Sequence, residues 1–238
     1  MRSISEGKDA LTNGDQTDTL FTALAEQLKT PLLQIARLSE ISESGANTRI
    51  SVISEHALRL VDAYMQAQSQ AQTKLLLEPF TTSSVLYDVA NSLKPFANQY
   101  NYDLEIDVRG KSLPVMAHRI SLRAMLTLLG ASLIEAGSAD VIGKRYLVLG
   151  THRSAKGTVV GVFSNQVFLS QKALQLTRQL HGRAVQPIPS LGQAGGAGLA
   201  IADRLSHQLS APLRAYRHQS LTGIGSLLLP SRQLQLVV

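Results

Sequence analysis

The 238-residue sequence contains no cysteine and no tryptophan, and aromatic residues make up only 5% of it. Without cysteine there is no disulfide framework and no thiolate metal site. No apolar run approaches the ~20 residues that a helix needs to cross a bilayer, and residues 1–19 are too polar for a signal peptide. These absences favour a cytoplasmic protein, and a hydrophobic fraction of 44% indicates a folded core.

Acidic residues are scarce in the second half of the chain. After Glu135 the acids are Asp140 and Asp203, against 11 Lys and Arg, whereas the part up to Glu135 has 15 acids against 12 basic residues. A basic half can contact nucleic acid or an anionic surface. Six of its cations are interleaved with predicted strand residues, which favours a solvated basic face over a nucleic-acid site. These six are Lys144, Arg145, Arg153, Lys156, Arg214 and Arg217.

The stretch from Leu20 to Leu38 organises the chain. Its apolar residues recur at helical spacing and predict an amphipathic helix that begins at Asp18 or Thr19 and contains Pro31. A turn over 42–47 and a second helical pattern over 48–75 complete a hairpin. Because each helix keeps an apolar stripe, we expect two hairpins to pair as a four-helix bundle in a dimer.

One motif in the first helix resembles a known one. The sequence AEQLKTPL, residues 25–32, resembles the phospho-acceptor box of sensor histidine kinases, Ser-His-Glu-Leu-Arg/Lys-Thr-Pro-Leu. Residues 28–32 match this box, including Lys29, Thr30 and Pro31. Glu26 stands at the histidine position and Gln27 at the position of the following acid. The chain therefore resembles a kinase core without its nucleophile.

The remaining patterns predict an α+β unit with a mixed sheet and helices on one face. Predicted helices cover 83–94, 118–136, 170–180 and 199–209, the first being interrupted at Pro95. Predicted strands cover 103–108, 114–117, 146–149, 159–163, 213–216 and 224–229, with a turn over 152–157. This order resembles the ATPase domain of histidine kinases. It implies a flexible leader over 1–18, a dimerisation hairpin over 19–77 and a degenerate ATPase domain over 78–238.

Three groups that the resemblance requires for catalysis are missing. No histidine precedes His56, which lies on the second predicted helix and is either an ordinary helix residue or an alternative acceptor. The family's magnesium-binding asparagine has no counterpart, since no asparagine occurs between Asn101 and Asn165. Of the polar residues left in that helix, only Glu135 could bind the metal with charge. The Asp-x-Gly-x-Gly turn that reads adenine is also absent, because residues 164–170 read SNQVFLS.

One glycine-rich box survives in part. Residues 195–205, GGAGLAIADRL, resemble the family's lid-to-helix motif, in which a helix N-terminus accepts phosphate. Gly195, Gly196 and Gly198, together with Ser132, are therefore the candidates for residual ATP binding, although we expect no resident cofactor and no metal. The alternative is that these small residues let the helix pack closely on the sheet.

The leading hypothesis is a catalytically inactive, dimeric docking module. The resemblance implies a partner that is either a receiver-domain response regulator or a true histidine kinase. It would bind at the acceptor box, through Glu26, Gln27, Lys29, Thr30 and Pro31. Two alternatives remain: a divergent active kinase or phosphotransferase that uses Glu26 or His56, and a binding module that contacts nucleic acid or an anionic surface through the basic half.

Overall fold

The computed structural model describes residues 5–40, 45–69, 75–110, 114–137, 143–166, 171–172, 174–175 and 196–231. For residues 5–19 it describes the backbone alone. Gly195 lies outside these ranges, as does most of the predicted helix over 170–180.

Two helices form the N-terminal hairpin, α1 (Ser5–Ser39) and α2 (Ala46–Ser69). Pro31 lies inside α1, and the helix continues beyond it to Ser39. The predicted start at Asp18 or Thr19 is wrong, because the helix already begins at Ser5. Once a helix is nucleated, adding a residue needs little further free energy, so a polar segment can extend one that packing has fixed downstream.

The α+β unit follows. Its elements are β1 (Glu78–Thr81), α3 (Thr82–Gln99), β2 (Tyr102–Val108), β3 (Pro114–Ala117), α4 (Arg119–Ala136), β4 (Arg145–Ser154), β5 (Gly157–Ser164), α5 (Gly196–Gln208), β6 (Arg214–His218) and β7 (Leu221–Leu228). The five-stranded sheet has the order β2-β4-β5-β7-β6, with β2 and β4 parallel and the other neighbours antiparallel. A two-stranded sheet pairs β1 with β3. The predicted α+β class with a mixed sheet is therefore confirmed.

One hydrophobic core joins the helices to one face of the sheet. Alternate residues of the strands enter it, such as Leu147 and Leu149 of β4, because successive side chains of a strand point to opposite faces. The same cluster contains Leu24 of α1 and Leu60 of α2. The hairpin is thus packed onto the α+β unit, and the Gln208 side chain of α5 donates a hydrogen bond to a backbone carbonyl of α2.

Three local predictions are corrected by the structure. Pro95 does not interrupt the third helix, because Leu93 and Phe96 on either side of it are buried and hold α3 in place. The tight turn between β4 and β5 is shorter than predicted, and His152 belongs to β4. Strand β1 was not predicted, since four residues carry little periodicity.

None of the helices in the described ranges combines the length and the apolar character that crossing a bilayer requires.

Candidate functional site

The residues of the acceptor-like box divide between two environments on α1. Glu26, Lys29 and Thr30 are exposed, and Lys29 donates a hydrogen bond to the Glu26 carboxylate one turn away. Gln27 and Pro31 are buried. The box therefore offers a charged outer surface, while Gln27 faces the α+β unit.

Gln27 connects the hairpin to two helices of the α+β unit. Its side-chain oxygen accepts a hydrogen bond from the backbone N–H of Gly198 at 3.0 Å, and its Nε2 donates to Glu135 Oε2 at 3.3 Å. The N–H groups of a helix's first turn have no partner within the helix. Gln27 supplies such a partner to α5 from 171 residues away in the sequence.

His56 completes this network from α2. Its Nε2 lies 3.2 Å from Glu135 Oε1, and its ring packs on Phe96 with 4.3 Å between centroids. His56 is only 8% exposed. Glu135 thus uses one carboxylate oxygen for each helix of the hairpin. The sequence identified Glu135 as the only charged metal candidate and did not predict this pairing.

Tyr100 lies at the same junction, where Glu135 and Gln34 of α1 both affect its phenol. Burial raises the pKa of its phenol, the Glu135 carboxylate raises it further, and a hydrogen bond with Gln34 of α1 partly opposes both. Titration of this phenol is therefore shifted away from neutral pH. The polar junction accordingly holds Tyr100 as a neutral hydrogen-bonding group.

The surviving glycine box is closely packed. Gly196, Gly198 and Ser132 are all buried, and a Cβ added to Gly198 would lie 2.5 Å from Ser132 Oγ. This observation favours the packing interpretation of the small residues over an open phosphate cradle. Gln27 and Ser132 approach the N-terminus of α5, where the family resemblance would place phosphate.

The residues at this junction do not fit magnesium-bound ATP. A hard divalent cation requires several oxygen ligands, and both oxygens of Glu135 are already within hydrogen-bonding distance of Gln27 and His56. Across the described part of the chain, no group of three or more His, Cys, Asp or Glu side chains could hold a metal ion.

A second titratable cluster lies on the opposite face of the sheet. His218 Nε2 lies 2.8 Å from Asp107 Oδ2, and its Nδ1 lies 3.5 Å from the Nδ1 of His152. Gln219 Nε2 also donates to Asp107 Oδ2, at 2.7 Å. The His218 ring stacks on Phe163 with 4.8 Å between centroids. The tip of the β6–β7 hairpin therefore reaches across the sheet to its other edge strand, β2.

Glycine makes this reach possible. A Cβ added to Gly150 of β4 would lie 2.9 Å from Cε1 of His218, so a side chain there would displace the ring. Its neighbour in the adjacent strand is also a glycine, Gly161. The sequence analysis missed this cluster, since nothing local relates Asp107 to a histidine 111 residues away.

The cluster shifts two pKa values. Burial, the largest cause, raises the pKa of Asp107, but hydrogen bonds from His218, Arg109 and Gln219 outweigh it and leave the pKa below its ordinary value. Burial also lowers the pKa of His152, and the positive charges of His218 and Arg109 add to that effect. Both groups consequently resist protonation in the folded state.

The basic residues of the second half are spread over the sheet. Arg145 and Arg153 lie on β4, Arg214 and Arg217 on β6, and Lys156 in the turn before β5. Arg145 donates a hydrogen bond to the backbone carbonyl of Tyr100, so its guanidinium is partly engaged within the protein.

Comparison with solved structures identifies the fold. Histidine kinase ThkA in complex with response regulator protein TrrA matches with a TM-score of 0.57 at 12% identity, covering 96% of this chain and 67% of that chain. Full-length ShkA in complex with AMPPNP matches at 0.54 and 15% identity, covering 95% and 46%. Histidine kinase AdeS from Acinetobacter baumannii matches at 0.51 and 14% identity, covering 86% and 97%.

Sequence comparisons add no closer relationship. No protein-family model matches the chain, and no curated protein matches it. The helical N-terminal part, the mixed five-stranded sheet and these structural matches together show that the chain has the fold of a histidine kinase core, with a histidine-kinase-like ATPase domain.

Proposed function

We propose that this chain is a catalytically inactive, histidine-kinase-like module that docks a protein of a two-component system. The observation that carries the proposal is the position of Gln27. Its amide bonds both Gly198 and Glu135, so the hairpin residue next to the acceptor position is committed to a structural junction.

The chemistry of the acceptor position supports inactivity. Phosphoryl transfer to this hairpin would require a nucleophile on the outer face of α1 and a metal ion that bridges the phosphates. Glu26, at that position, is an exposed carboxylate paired with Lys29. His56 is buried against Glu135 and Phe96, where an incoming phosphate could not reach it without displacing α1 or α3.

The outer face of the box supports docking. Glu26, Lys29 and Thr30 present two charges and a hydroxyl beside Leu32 and Leu33, which are about 60% exposed. A surface with an apolar centre and a polar rim is typical of protein interfaces. Since ThkA was solved in complex with a response regulator, the partner that we propose is a receiver-domain response regulator.

A second copy of the chain is the other proposed partner. Large apolar side chains on both helices of the hairpin are exposed, including Phe21, Leu58 and Met65. Burying such a side chain contributes ~1.5–3 kcal/mol, so pairing two hairpins would stabilise a four-helix bundle. A contiguous apolar patch on the surface of a protein is typical of an interaction site.

Titration of purified receiver domains from the source organism into the full chain tests the docking proposal. We expect one of them to bind and the Lys29→Glu variant to weaken its binding at least tenfold. Lys156→Glu, which makes the same charge change on a distant turn, is the matched control. Binding that is equal in both variants would assign the partner to another surface, and the absence of binding across the panel would contradict this docking role.

A further inference from the structure

Two histidines on the sheet face opposite the core bring the same ring nitrogen close together. The Nδ1 of His152 on β4 lies 3.5 Å from the Nδ1 of His218 on β6. Hydrogen bonds donated by N–H groups mostly span ~2.7–3.2 Å, so a proton shared by these nitrogens would make a weak bond. Two nitrogens that each lie ~2.1 Å from a tetrahedral zinc ion are ~3.4 Å apart. The spacing therefore suits a metal ion better than a proton.

Asp107 fixes which nitrogen of His218 carries the proton. Its carboxylate lies 2.8 Å from Nε2 of His218. Arg109 and Gln219 donate hydrogen bonds to the same carboxylate oxygen, which helps to keep the group ionised. Because an ionised carboxylate only accepts hydrogen bonds, Nε2 of His218 is the donor, and Nδ1 of the neutral ring keeps its lone pair. A carboxylate behind an imidazole in this way commonly orients a metal ligand.

The sheet holds one of the two rings in place and leaves the other accessible. The His218 ring is buried, stacks on Phe163 and lies against Gly150, where an added Cβ would be 2.9 Å from its Cε1. His152 is half-buried, so an ion can approach its ring from solvent. The pair thus combines a ligand fixed by packing with a ligand that faces the entry side.

The two imidazoles are the ligands that the protein supplies. Asp107 bonds the other nitrogen of His218 and so does not reach the same point, which is why no group of three such side chains in the described ranges could hold a metal. The charge of Arg109 acts on His152, but Arg109 Nε lies 3.1 Å from the Asp107 carboxylate, which balances it. A cation at the imidazoles therefore meets no net positive charge.

We propose that His152 and His218 bind a zinc ion through their Nδ1 atoms, with Asp107 behind His218 and water at the remaining positions. Strands β4 and β6 are not neighbours in the sheet, so the bound ion fastens the β6–β7 hairpin over it. The site lies on the face opposite the core, whereas the docking surface lies on α1. Either proposal can therefore fail without the other.

Calorimetric titration of the full chain, without an affinity tag, with zinc chloride tests the proposal. We expect one zinc ion per chain and no binding of magnesium, which prefers oxygen ligands. His152→Gln and His218→Gln should each weaken zinc binding at least tenfold. Asp107→Asn should weaken it ~10-fold or more, as is typical for the loss of a carboxylate behind a ligating histidine. His207→Gln, which removes a largely exposed histidine on α5, should leave zinc binding unchanged.

Three results would overturn this inference: the absence of zinc binding, zinc binding that His152→Gln leaves intact, and zinc binding that His207→Gln abolishes. Since His218 is buried, circular dichroism identifies a loss that is due to unfolding of His218→Gln, and the half-buried His152 then decides the question. Thermal denaturation gives a second readout, because a ligand that binds the folded state stabilises it. Zinc should raise the melting temperature of the wild type and not that of His152→Gln, and an equal rise in both would contradict the site.

Discussion

The side-chain oxygen of Gln27 accepts a hydrogen bond from the backbone N–H of Gly198 at 3.0 Å, and this contact joins the hairpin to the N-terminus of α5. The same amide donates to Glu135, which His56 approaches from α2. Four helices therefore meet in one polar network. Because its members are buried, each is expected to cost free energy when its partner is removed.

Removing the Gln27 amide is the most direct disturbance of this network. Gln27→Ala should lower the free energy of unfolding by ~1–3 kcal/mol, since it removes the side-chain acceptor of the buried Gly198 N–H and one hydrogen bond to Glu135. Lys29→Ala, an exposed change two residues along the same helix, should stay within ~0.5 kcal/mol. Urea denaturation of both variants measures the difference. Equal effects would show that the junction contributes no more than a surface pair.

A negative charge introduced in the same place gives a pH-dependent effect. Gln27→Glu should destabilise the protein at pH 7, because a second carboxylate would face Glu135 across the 3.3 Å that now separates Nε2 and Oε2. Lowering the pH toward 5 should recover stability relative to the wild type, since one shared proton removes the repulsion. A deficit that does not change between pH 7 and pH 5 would contradict the proximity of the two groups.

The packing of Gly198 on Ser132 predicts that Gly198→Ala destabilises the protein when residue 132 is serine and stabilises it when residue 132 is alanine. Gly198→Ala should cost ~1–3 kcal/mol of overpacking, because the new Cβ would lie 2.5 Å from Ser132 Oγ. In the Ser132→Ala background the clash is absent, and replacing glycine inside a helix should then gain up to ~1 kcal/mol. A double-mutant cycle measures this coupling. Additive effects would show that the two helices are further apart than described.

The cluster of Asp107, His152 and His218 predicts that the protein loses stability on acidification. The pKa of Asp107 is depressed in the folded state, so its stabilising contribution is present above the unfolded value of 3.8 and is lost as the pH falls through the folded value. The pKa of His152 is depressed below 6.5 as well, so the unfolded chain takes up that proton first and stability falls below about pH 6.5.

His152→Gln isolates the second of these effects. It should flatten the decline of the unfolding free energy between pH 7 and pH 5, because the group that resists protonation is gone. Denaturation curves at several pH values measure this slope, and an unchanged or steeper decline in His152→Gln would contradict the prediction.

The exposed apolar side chains of the hairpin predict a dimer. Phe21→Asp and Leu58→Asp should convert the chain to a monomer in light scattering, because each places a charge in the proposed interface between two copies. Ile120→Asp on α4 is a matched control, since Ile120 and Phe21 are both 58% exposed. A wild-type chain that is monomeric at high concentration would exclude the proposed bundle.

Local patterns predicted most of the elements. The apolar stripe of α1 and the alternation in β2 identified a helix and a strand, because periodicity reflects which side is buried. The interruption predicted at Pro95 was wrong, because the burial of Leu93 and Phe96 in the core outweighs the effect of proline on the isolated helix. The start of α1 was predicted too late in the sequence, because the polar residues after Ser5 give no apolar stripe but still extend a helix that is already formed.

The sequence predicted the acceptor-like box of the candidate site but not the contacts that its residues make. The resemblance of residues 25–32 assigned partner binding to the whole box, whereas the structure buries Gln27 and Pro31 and leaves Glu26, Lys29 and Thr30 exposed. It gave no indication that Gln27 would bond Gly198. That contact depends on how the hairpin packs on the α+β unit, as does the pairing of Glu135 with His56. Contacts between distant segments leave no periodic signal in a single sequence.

Calorimetric titration of magnesium-bound ATP into the full chain tests whether the nucleotide site has been lost. We expect no binding, because Gln27 and Ser132 approach the N-terminus of α5 and Glu135 is engaged by the hairpin. Micromolar binding, equivalent to about −8 kcal/mol, would contradict it, and so would label from γ-labelled ATP that Glu26→Ala or His56→Ala abolishes.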